Sequence, residues 1–324
     1  MPRSIASFFT FTALLLASVY PAQPLHAQQP RVWIETDRGP ILLELDSANT
    51  PITTQNFLDY VNEGFYDGLI FHRVIDGFVV QGGGFDTRLS QRAATRGPIP
   101  SEASAGGANV PRTIAMALVG GDVGSATTQF YINTGVNANL DGDYTVFGEV
   151  IGGWPTVETI SSTPTFTNEL PVRAPVIIRA VEVAAGTFPI MPLHTASWFD
   201  PSNPGVGFNL EVTNDASTEE GPLLIVYWYD FRAGQQLWLT GTANFEYGDS
   251  EVTVDLLGVP TPNEAADFQM PPPLDSFQVR GSVTVRFDGC SGGRFAYDLT
   301  DFGSGELVLT RLSIPDRQTC DGLD

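Results

Sequence analysis

Short runs of β-branched and aromatic residues recur along almost the whole chain, and turn-forming residues close each run. The 324 residues include 33 Gly and 24 Pro. Runs of about four to eight such residues, bounded by Gly, Pro, Asn or Asp, are typical of β-strands. The sequence therefore predicts a mainly β protein, and its length predicts two domains.

The first half adds two predicted helices to these runs. The runs VWIET and ILLEL flank residues 37–40 (DRGP), which favour a tight turn, so we expect an opening hairpin. Thr50 is placed to cap a helix that Gly64 ends, and a second short helix begins near Pro155. Many short strands with two helices indicate a small closed barrel capped at its ends.

The second half is all β in pattern. Residues 185–193 have no clear period and are predicted to be a linker, with one domain at 28–184 and another at 194–324. Beyond the linker, runs such as LLIVYWYD and EVTVDLL predict an antiparallel meander. We expect Trp228 and Trp238 to fill a sandwich core, with glycan or partner binding by exposed aromatics as the alternative. His194 is expected at the surface.

Residues 1–27 are predicted to be a secretory signal peptide. Arg3 precedes an apolar run from Phe8 to Tyr20, which is shorter than the roughly 20 residues that a membrane span needs. An uncleaved anchor is the alternative. The mature protein is therefore expected in the periplasm or outside the cell, without a membrane span. There, Cys290 and Cys320 are expected to form a disulfide, and two free thiols are the alternative.

Composition excludes several function classes. The formal net charge is −21, and all 16 basic residues are Arg, so binding to nucleic acid or to anionic membranes is not expected. Without Lys, the chain cannot form a Schiff base or a lysine-containing phosphate loop. The three His and two Cys are scattered, and no metal site is predicted.

Three motifs occur in a fixed order between Val32 and Val183. They are FHRVIDGFVVQGGGFD, TIAMALVGGDVGSATTQFYINTG and NLDGDYTVFGEV. In sequence and spacing they resemble the cyclophilin family of peptidyl-prolyl isomerases. The resemblance implies an eight-stranded antiparallel barrel with two capping helices. It also implies an enzyme that rotates Xaa-Pro bonds between cis and trans and needs no cofactor. The rest of the chain faintly resembles an acidic β-rich module found at the C-termini of secreted bacterial proteins.

The resemblance also assigns roles to individual residues. Arg73 matches the catalytic arginine, and Gln81 matches the glutamine that orients it and binds the substrate backbone. The remaining matched positions would form the peptide groove: Phe78, Val79, Tyr131 and Leu140 as the apolar wall, with Ala117, Gln129 and Tyr144 along it. For each of these apolar residues taken alone, the alternative to a role in the groove is an ordinary position in the hydrophobic core. We interpret His72 as structural.

Some positions depart from the family pattern. Asn139 stands where a tryptophan is usual, and Tyr144 stands where a histidine is usual. Because that tryptophan donates a hydrogen bond to cyclosporin, we expect weak inhibition by the drug. Val79 stands where methionine is frequent in the family, and Leu118 stands where asparagine is frequent. We expect these two changes to affect the preference for peptides more than the activity.

We therefore expect an isomerase that assists the folding of exported proteins. Its partners would be proline-containing peptides and unfolded or folding proteins. The alternative is a non-catalytic protein that binds proline-containing peptides or acts as a chaperone, with a partner docked on the C-terminal domain. The sequence does not identify that partner.

Overall fold

The computed structural model describes residues 29–184, 187–203, 205–213, 221–232, 235–258 and 277–313. These residues form eighteen β-strands and two α-helices, which confirms the prediction of a mainly β protein. The predicted signal peptide and Cys320 lie outside the described residues. Within these ranges, no helix has the length and apolar character needed to cross a membrane.

Ten short strands belong to the first half of the chain. They are β1 (Arg31–Thr36), β2 (Gly39–Leu45), β3 (Leu69–Ile70), β4 (Arg73–Ile75), β5 (Val79–Gly82), β6 (Phe85–Asp86), β7 (Thr113–Met116), β8 (Phe130–Asn133), β9 (Val146–Gly152) and β10 (Ile177–Val183). Eight form one sheet in the order β10-β1-β2-β9-β7-β8-β5-β4, and β3 pairs with β6. All pairs are antiparallel. The opening hairpin and the eight antiparallel strands are thus confirmed, although the end strands β4 and β10 of the predicted barrel are not paired with each other in the described residues.

The segment that leads into β10 runs alongside the end strand β4. The Phe71 amide donates to the Pro175 carbonyl at 2.9 Å, and the Val74 amide donates to the Glu169 carbonyl at 2.9 Å. Backbone hydrogen bonds therefore hold the loop containing Glu169 next to the strand that carries Arg73.

Both predicted helices are present, α1 over Pro51–Asn62 and α2 over Trp154–Ser161. Gly64 follows α1 with φ +65°, a conformation that glycine adopts without strain. Phe57 of α1 and both Val157 and Ile160 of α2 are fully buried. The two helices therefore cover the sheet with their apolar faces, as the spacing of apolar residues predicts.

The cap of α1 differs from the prediction. Thr50 lies at the N-cap position but makes no side-chain capping bond, and its hydroxyl donates to the Asp46 carbonyl instead. The Glu102 carboxylate accepts hydrogen bonds from the backbone amides of Ile52 and Thr53 at 3.1 and 2.8 Å. A carboxylate binds amides at the positive end of a helix more strongly than a hydroxyl does.

The second half forms a closed barrel of eight strands. They are β11 (Ala196–Phe199), β12 (Gly207–Thr213), β13 (Leu223–Arg232), β14 (Gln235–Asn244), β15 (Glu251–Gly258), β16 (Gln278–Phe287), β17 (Gly292–Leu299) and β18 (Gly303–Arg311). Each strand pairs with its neighbour in sequence, as predicted for a meander, and β11 pairs with β18. The expected sandwich core is therefore wrong, because this last pairing closes one sheet on itself.

Two further expectations for this half need correction. Trp228 is fully buried inside the barrel, but Trp238 is 60% exposed on its outer face. His194 is also fully buried rather than at the surface. Its ring stacks on Phe287 with centroids 3.6 Å apart, and its Nδ1 accepts a hydrogen bond from the Met191 amide. Local sequence gave no sign that aromatic rings would surround this histidine.

The described part of the predicted linker, residues 187–193, packs against the second barrel. Phe188 and Ile190 are buried in its core cluster, which also contains Trp33 of β1. The Trp33 and Phe188 rings meet edge to face at 5.2 Å. One apolar cluster therefore joins the outer face of the first sheet to the second barrel.

Candidate active site

Six of the predicted groove residues belong to one small apolar cluster, separate from the main core of the first domain. Its buried members are Val79, Ala115, Tyr131 and Val146, and packed against them are the partly buried Phe78, Ala117, Leu140 and Tyr144. The cluster has a buried base and a partly buried rim. It can therefore bind a small apolar ring at the surface of the domain.

Adjacent strands bring this cluster together from distant parts of the sequence. Val79 of β5 lies opposite Asn133 of β8, and Ala115 of β7 lies opposite Tyr131 of β8. Leu140 comes from a single 3₁₀ turn between β8 and β9. The sheet order therefore assembles residues from all three motifs.

Arg73 lies beside this cluster on β4. Its guanidinium carbon is 5.9 Å from the centroid of the Phe78 ring, within the range of a cation–π contact. Arg73 and Gln81 are directly paired across β4 and β5. The Arg73 Nη1 donates to Gln81 Oε1 at 3.4 Å, and Gln81 Nε2 donates to Gln129 Oε1 at 3.0 Å. A row of polar side chains thus borders the apolar cluster.

Glu169 is a member of this site that sequence analysis missed. Its Oε2 accepts a hydrogen bond from the Arg73 Nε at 2.5 Å. The side chains of Arg73 and Glu169 are 35% and 44% exposed. Because Glu169 lies in the loop before β10, outside all three motifs, its position became visible only with the fold.

A buried polar network supports the apolar cluster from below. The Tyr131 hydroxyl donates to Asn109 Oδ1 at 2.8 Å, and the backbone amide and side-chain amide of Asn109 both donate to Asp141. Asn137 donates to the Phe78 carbonyl at 2.9 Å. These bonds connect Tyr131, Phe78 and the turn that carries Leu140.

Two side chains of this network have shifted pKa values. The hydrogen bonds from the Asn109 backbone amide and then from its side chain lower the pKa of Asp141, so the acceptor stays ionised. Burial, and next the Tyr144 hydroxyl, raise the pKa of Tyr131. Tyr131 therefore stays protonated and can donate to Asn109.

His72 lies outside the apolar cluster. Its ring packs against Phe85 with centroids 4.7 Å apart, and burial lowers its pKa to about 4. The imidazole is therefore neutral near pH 7, which agrees with the structural role that we predict. In the part of the chain that the structure describes, no group of three or more His, Cys, Asp or Glu side chains could hold a metal ion.

Two other predicted features are only partly visible. Asn139 is exposed beside Leu140, where the family tryptophan would stand, and the expected weak response to cyclosporin stays a prediction. Cys290 is fully buried, but Cys320 is outside the described ranges, so the disulfide also stays a prediction.

Comparison with known proteins agrees with this geometry. A family model described as cyclophilin type peptidyl-prolyl cis-trans isomerase matches residues 31–183. Peptidyl-prolyl cis-trans isomerase A of Dickeya dadantii is 46% identical over 139 residues, covering 41% of this chain and 72% of that protein. An isomerase of Acinetobacter baylyi is 43% identical over 149 residues, covering 44% and 78%.

A third relative matches over nearly its whole length. Peptidyl-prolyl cis-trans isomerase B of Escherichia coli is 40% identical over 164 residues, covering 47% of this chain and 99% of that protein. The matched part contains Arg73 and its apolar neighbours, whereas the second barrel lies outside the family model. The chain therefore belongs to the cyclophilin family of peptidyl-prolyl cis-trans isomerases.

Proposed function

We propose that this cyclophilin catalyses cis/trans rotation of Xaa-Pro bonds in exported proteins while they fold, with Arg73 acting on the prolyl nitrogen. The observation that carries the proposal is the Arg73 guanidinium beside Phe78 and the partly buried apolar cluster. The cluster provides a place for the proline ring, and the guanidinium provides charge next to it.

Electronic changes during rotation explain why an arginine is needed. The planar amide is stabilised by resonance, and rotation about it has a barrier of about 18–20 kcal/mol. In the twisted state, the lone pair is localised on the prolyl nitrogen and can accept a hydrogen bond from Arg73. Because this bond strengthens only as the amide twists, it lowers the barrier rather than merely tightening ground-state binding.

The surrounding groups prepare Arg73 for this step. Gln81 contacts the guanidinium, while Val79, Tyr131 and Leu140 offer apolar surface that excludes water from the bound ring. An electrostatic contact is stronger where water is excluded. A ten-thousandfold acceleration requires only about 5.5 kcal/mol, which a few oriented hydrogen bonds and an apolar site can supply.

Export and a protein substrate are supported by the sequence. The predicted signal peptide at 1–27 would direct the chain out of the cytoplasm, and the two cysteines would form a disulfide there. Unfolded exported proteins contain mixtures of cis and trans Xaa-Pro bonds, and slow isomerisation delays their folding. The substrates that we propose are these proteins.

Refolding of a secreted protein whose slow phase is a prolyl isomerisation tests this function. We expect the full chain to accelerate that phase at catalytic concentrations and Arg73→Ala to lose the effect. If the chain instead reduced aggregation without accelerating the phase, it would act as a proline-binding chaperone and the proposal would be wrong.

Export has a separate test. Mass spectrometry of the protein recovered from each fraction of a bacterial culture should find a chain beginning near Gln28 outside the cytoplasm. Recovery of the uncleaved chain from the cytoplasm alone would reject the proposed location.

A further inference from the structure

We propose that Glu169 is a positioning residue for the isomerisation, which holds the Arg73 guanidinium in its productive orientation before the substrate binds. The inference rests on the proposed function of Arg73. The contact that carries it is the hydrogen bond from Arg73 Nε to Glu169 Oε2 at 2.5 Å.

The contact with Glu169 uses the Nε–H donor of Arg73 and leaves donors on the terminal nitrogens free to bind the substrate. A guanidinium has five N–H donors in a rigid plane. Glu169 uses the Nε donor and Gln81 uses one on Nη1, so these two contacts leave three donors, all on the terminal nitrogens. Two fixed contacts on one rigid plane determine how that plane faces the apolar cluster.

The backbone of Glu169 is fixed to the same strand. Its carbonyl accepts a hydrogen bond from the Val74 amide, next to Arg73 in β4, and its own amide donates to the Phe166 carbonyl at 3.0 Å. Glu169 therefore contacts β4 through its backbone as well as its side chain. The backbone bond keeps its Cα next to β4, so the carboxylate stays within reach of Arg73.

The conformation of Glu169 also points to a role for its side chain. Its φ is +66°, in the left-handed region that strains residues with a Cβ and favours glycine. A strained non-glycine residue beside a reactive group is typical of a functional constraint. Glycine would relieve the strain here but could not bind Arg73.

Stability alone does not account for the contact. Both side chains are more than a third exposed, and ion pairs of this kind contribute little to folding because water screens them. Holding a long side chain in one rotamer before binding removes an entropic cost from the transition state. The contact is therefore expected to affect turnover more than folding.

Glu169→Gly and Glu169→Gln separate positioning from folding. Loss of the oriented charge-assisted contact should lower kcat about tenfold in Glu169→Gly, with KM for a proline tetrapeptide little changed. Glu169→Gln keeps a hydrogen-bond acceptor and should retain more activity. The melting temperature of Glu169→Gly should be equal to or above that of the wild type, since glycine relieves the strained φ.

A matched control uses an ion pair that belongs neither to the apolar cluster nor to the hydrogen bonds of Arg73. Arg96 and Glu63 form an ion pair at 2.5 Å, and their side chains are 38% and 39% exposed, close to the values of the Arg73–Glu169 pair. Glu63→Gln should leave kcat unchanged. In ¹H–¹⁵N spectra, the Arg73 Nε–H signal, assigned by its absence in Arg73→Lys, should move in Glu169→Gly but not in Glu63→Gln.

Two results would overturn the inference. Wild-type kcat in Glu169→Gly would show that Arg73 needs no external orientation, and a raised kcat would show that Glu169 restrains the arginine. If Glu169→Gly keeps full activity while Arg73→Ala loses it, this inference fails and the proposed function stands. If the wild type itself does not catalyse the exchange, the proposed function fails first.

Discussion

Arg73 lies between a carboxylate on one side and a phenyl ring on the other. The Glu169 contact is half exposed, and the Phe78 contact is at 5.9 Å, so each stabilises the fold by about 1 kcal/mol or less. Their main effect is on geometry, because together with Gln81 they fix where the positive charge lies. At the scale of single residues, the site is an oriented cation beside an apolar surface.

How far single residues can be predicted depends on whether they belong to a motif. Phe78, Tyr131 and Leu140 can be assigned to one groove from the sequence because each lies within a motif, and the structure packs all three in one cluster. Glu169 and Asn109 had no such context, since a lone acid or amide in a loop has many possible roles. Their partners lie 96 and 22 residues away in sequence, and only the assembled sheet brings them together.

Tyr131→Phe tests the polar network below the cluster. The change removes the hydroxyl that donates to Asn109 at 2.8 Å but keeps the ring that forms the wall. We expect the free energy of unfolding to fall by about 1 kcal/mol and kcat/KM for a tetrapeptide to stay within about twofold. Urea denaturation and peptide exchange measure the two quantities. Full stability with greatly reduced turnover would show that the hydroxyl itself acts on the substrate.

At the scale of elements, the start of α1 shows which features local sequence predicts and which it does not. Thr50 and Pro51 predict correctly where the helix begins, since both residue types are favoured there. The group that binds the free amides, Glu102, comes from 49 residues beyond Thr53. The residue preferences at Thr50 and Pro51 thus predict where the helix begins. The carboxylate that caps it, however, comes from a residue distant in sequence.

Glu102→Gln should therefore destabilise the first domain. The neutral amide directs an NH₂ group as well as an oxygen at the helix amides, and it loses the favourable interaction with the helix dipole, so we expect a cost of about 1–2 kcal/mol. Glu63→Gln, at the opposite end of α1, should cost less than about 1 kcal/mol. Thermal unfolding of both variants checks this contrast, and equal shifts would show that Glu102 does not cap the helix.

The connection into the second barrel contains a buried neutral histidine. Desolvation by burial lowers the pKa of His194 to about 3, whereas an unfolded histidine titrates near 6.5. Between these two values the unfolded state binds one more proton than the folded state. The contribution of His194 therefore lowers stability as the pH falls from about 6.5 toward 3.

Unfolding measured between pH 7 and pH 5 tests this dependence. Over that range, His194→Gln should lose less stability than the wild type, by up to about 1.4 kcal/mol per pH unit below 6.5. As a check that needs no variant, the His194 ring signals of the wild type should not shift between pH 7 and pH 5. A titration of those signals near pH 6.5 would show that the ring is accessible to solvent.

At the scale of the whole molecule, one apolar cluster connects the first sheet to the second barrel. Trp33 is fully buried against Phe188, and the Arg179 guanidinium lies 3.6 Å from the centroid of the Tyr247 ring. The two-part organisation and the meander could be predicted from local patterns. The closure of the second barrel could not, since β11 and β18 pair Trp198 with Arg311 and no local signal links positions so far apart.

Trp33→Ala tests whether the two parts unfold together. Removing this side chain should cost about 3–5 kcal/mol and separate a single calorimetric transition into two, because the shared cluster is lost. Trp238→Ala is the matched control. That side chain is 60% exposed, so its loss should change stability by about 0.5 kcal/mol or less. Two transitions already present in the wild type would contradict the coupling.

The most direct test of the central claim is the exchange rate of a proline tetrapeptide, measured by NMR with the wild type and with Arg73→Ala under identical conditions. We expect the wild type to accelerate cis/trans exchange and Arg73→Ala to lower kcat/KM by about a hundredfold or more, since the donor to the twisted nitrogen is lost. Equal exchange rates with the two proteins would contradict catalysis by the Arg73 guanidinium.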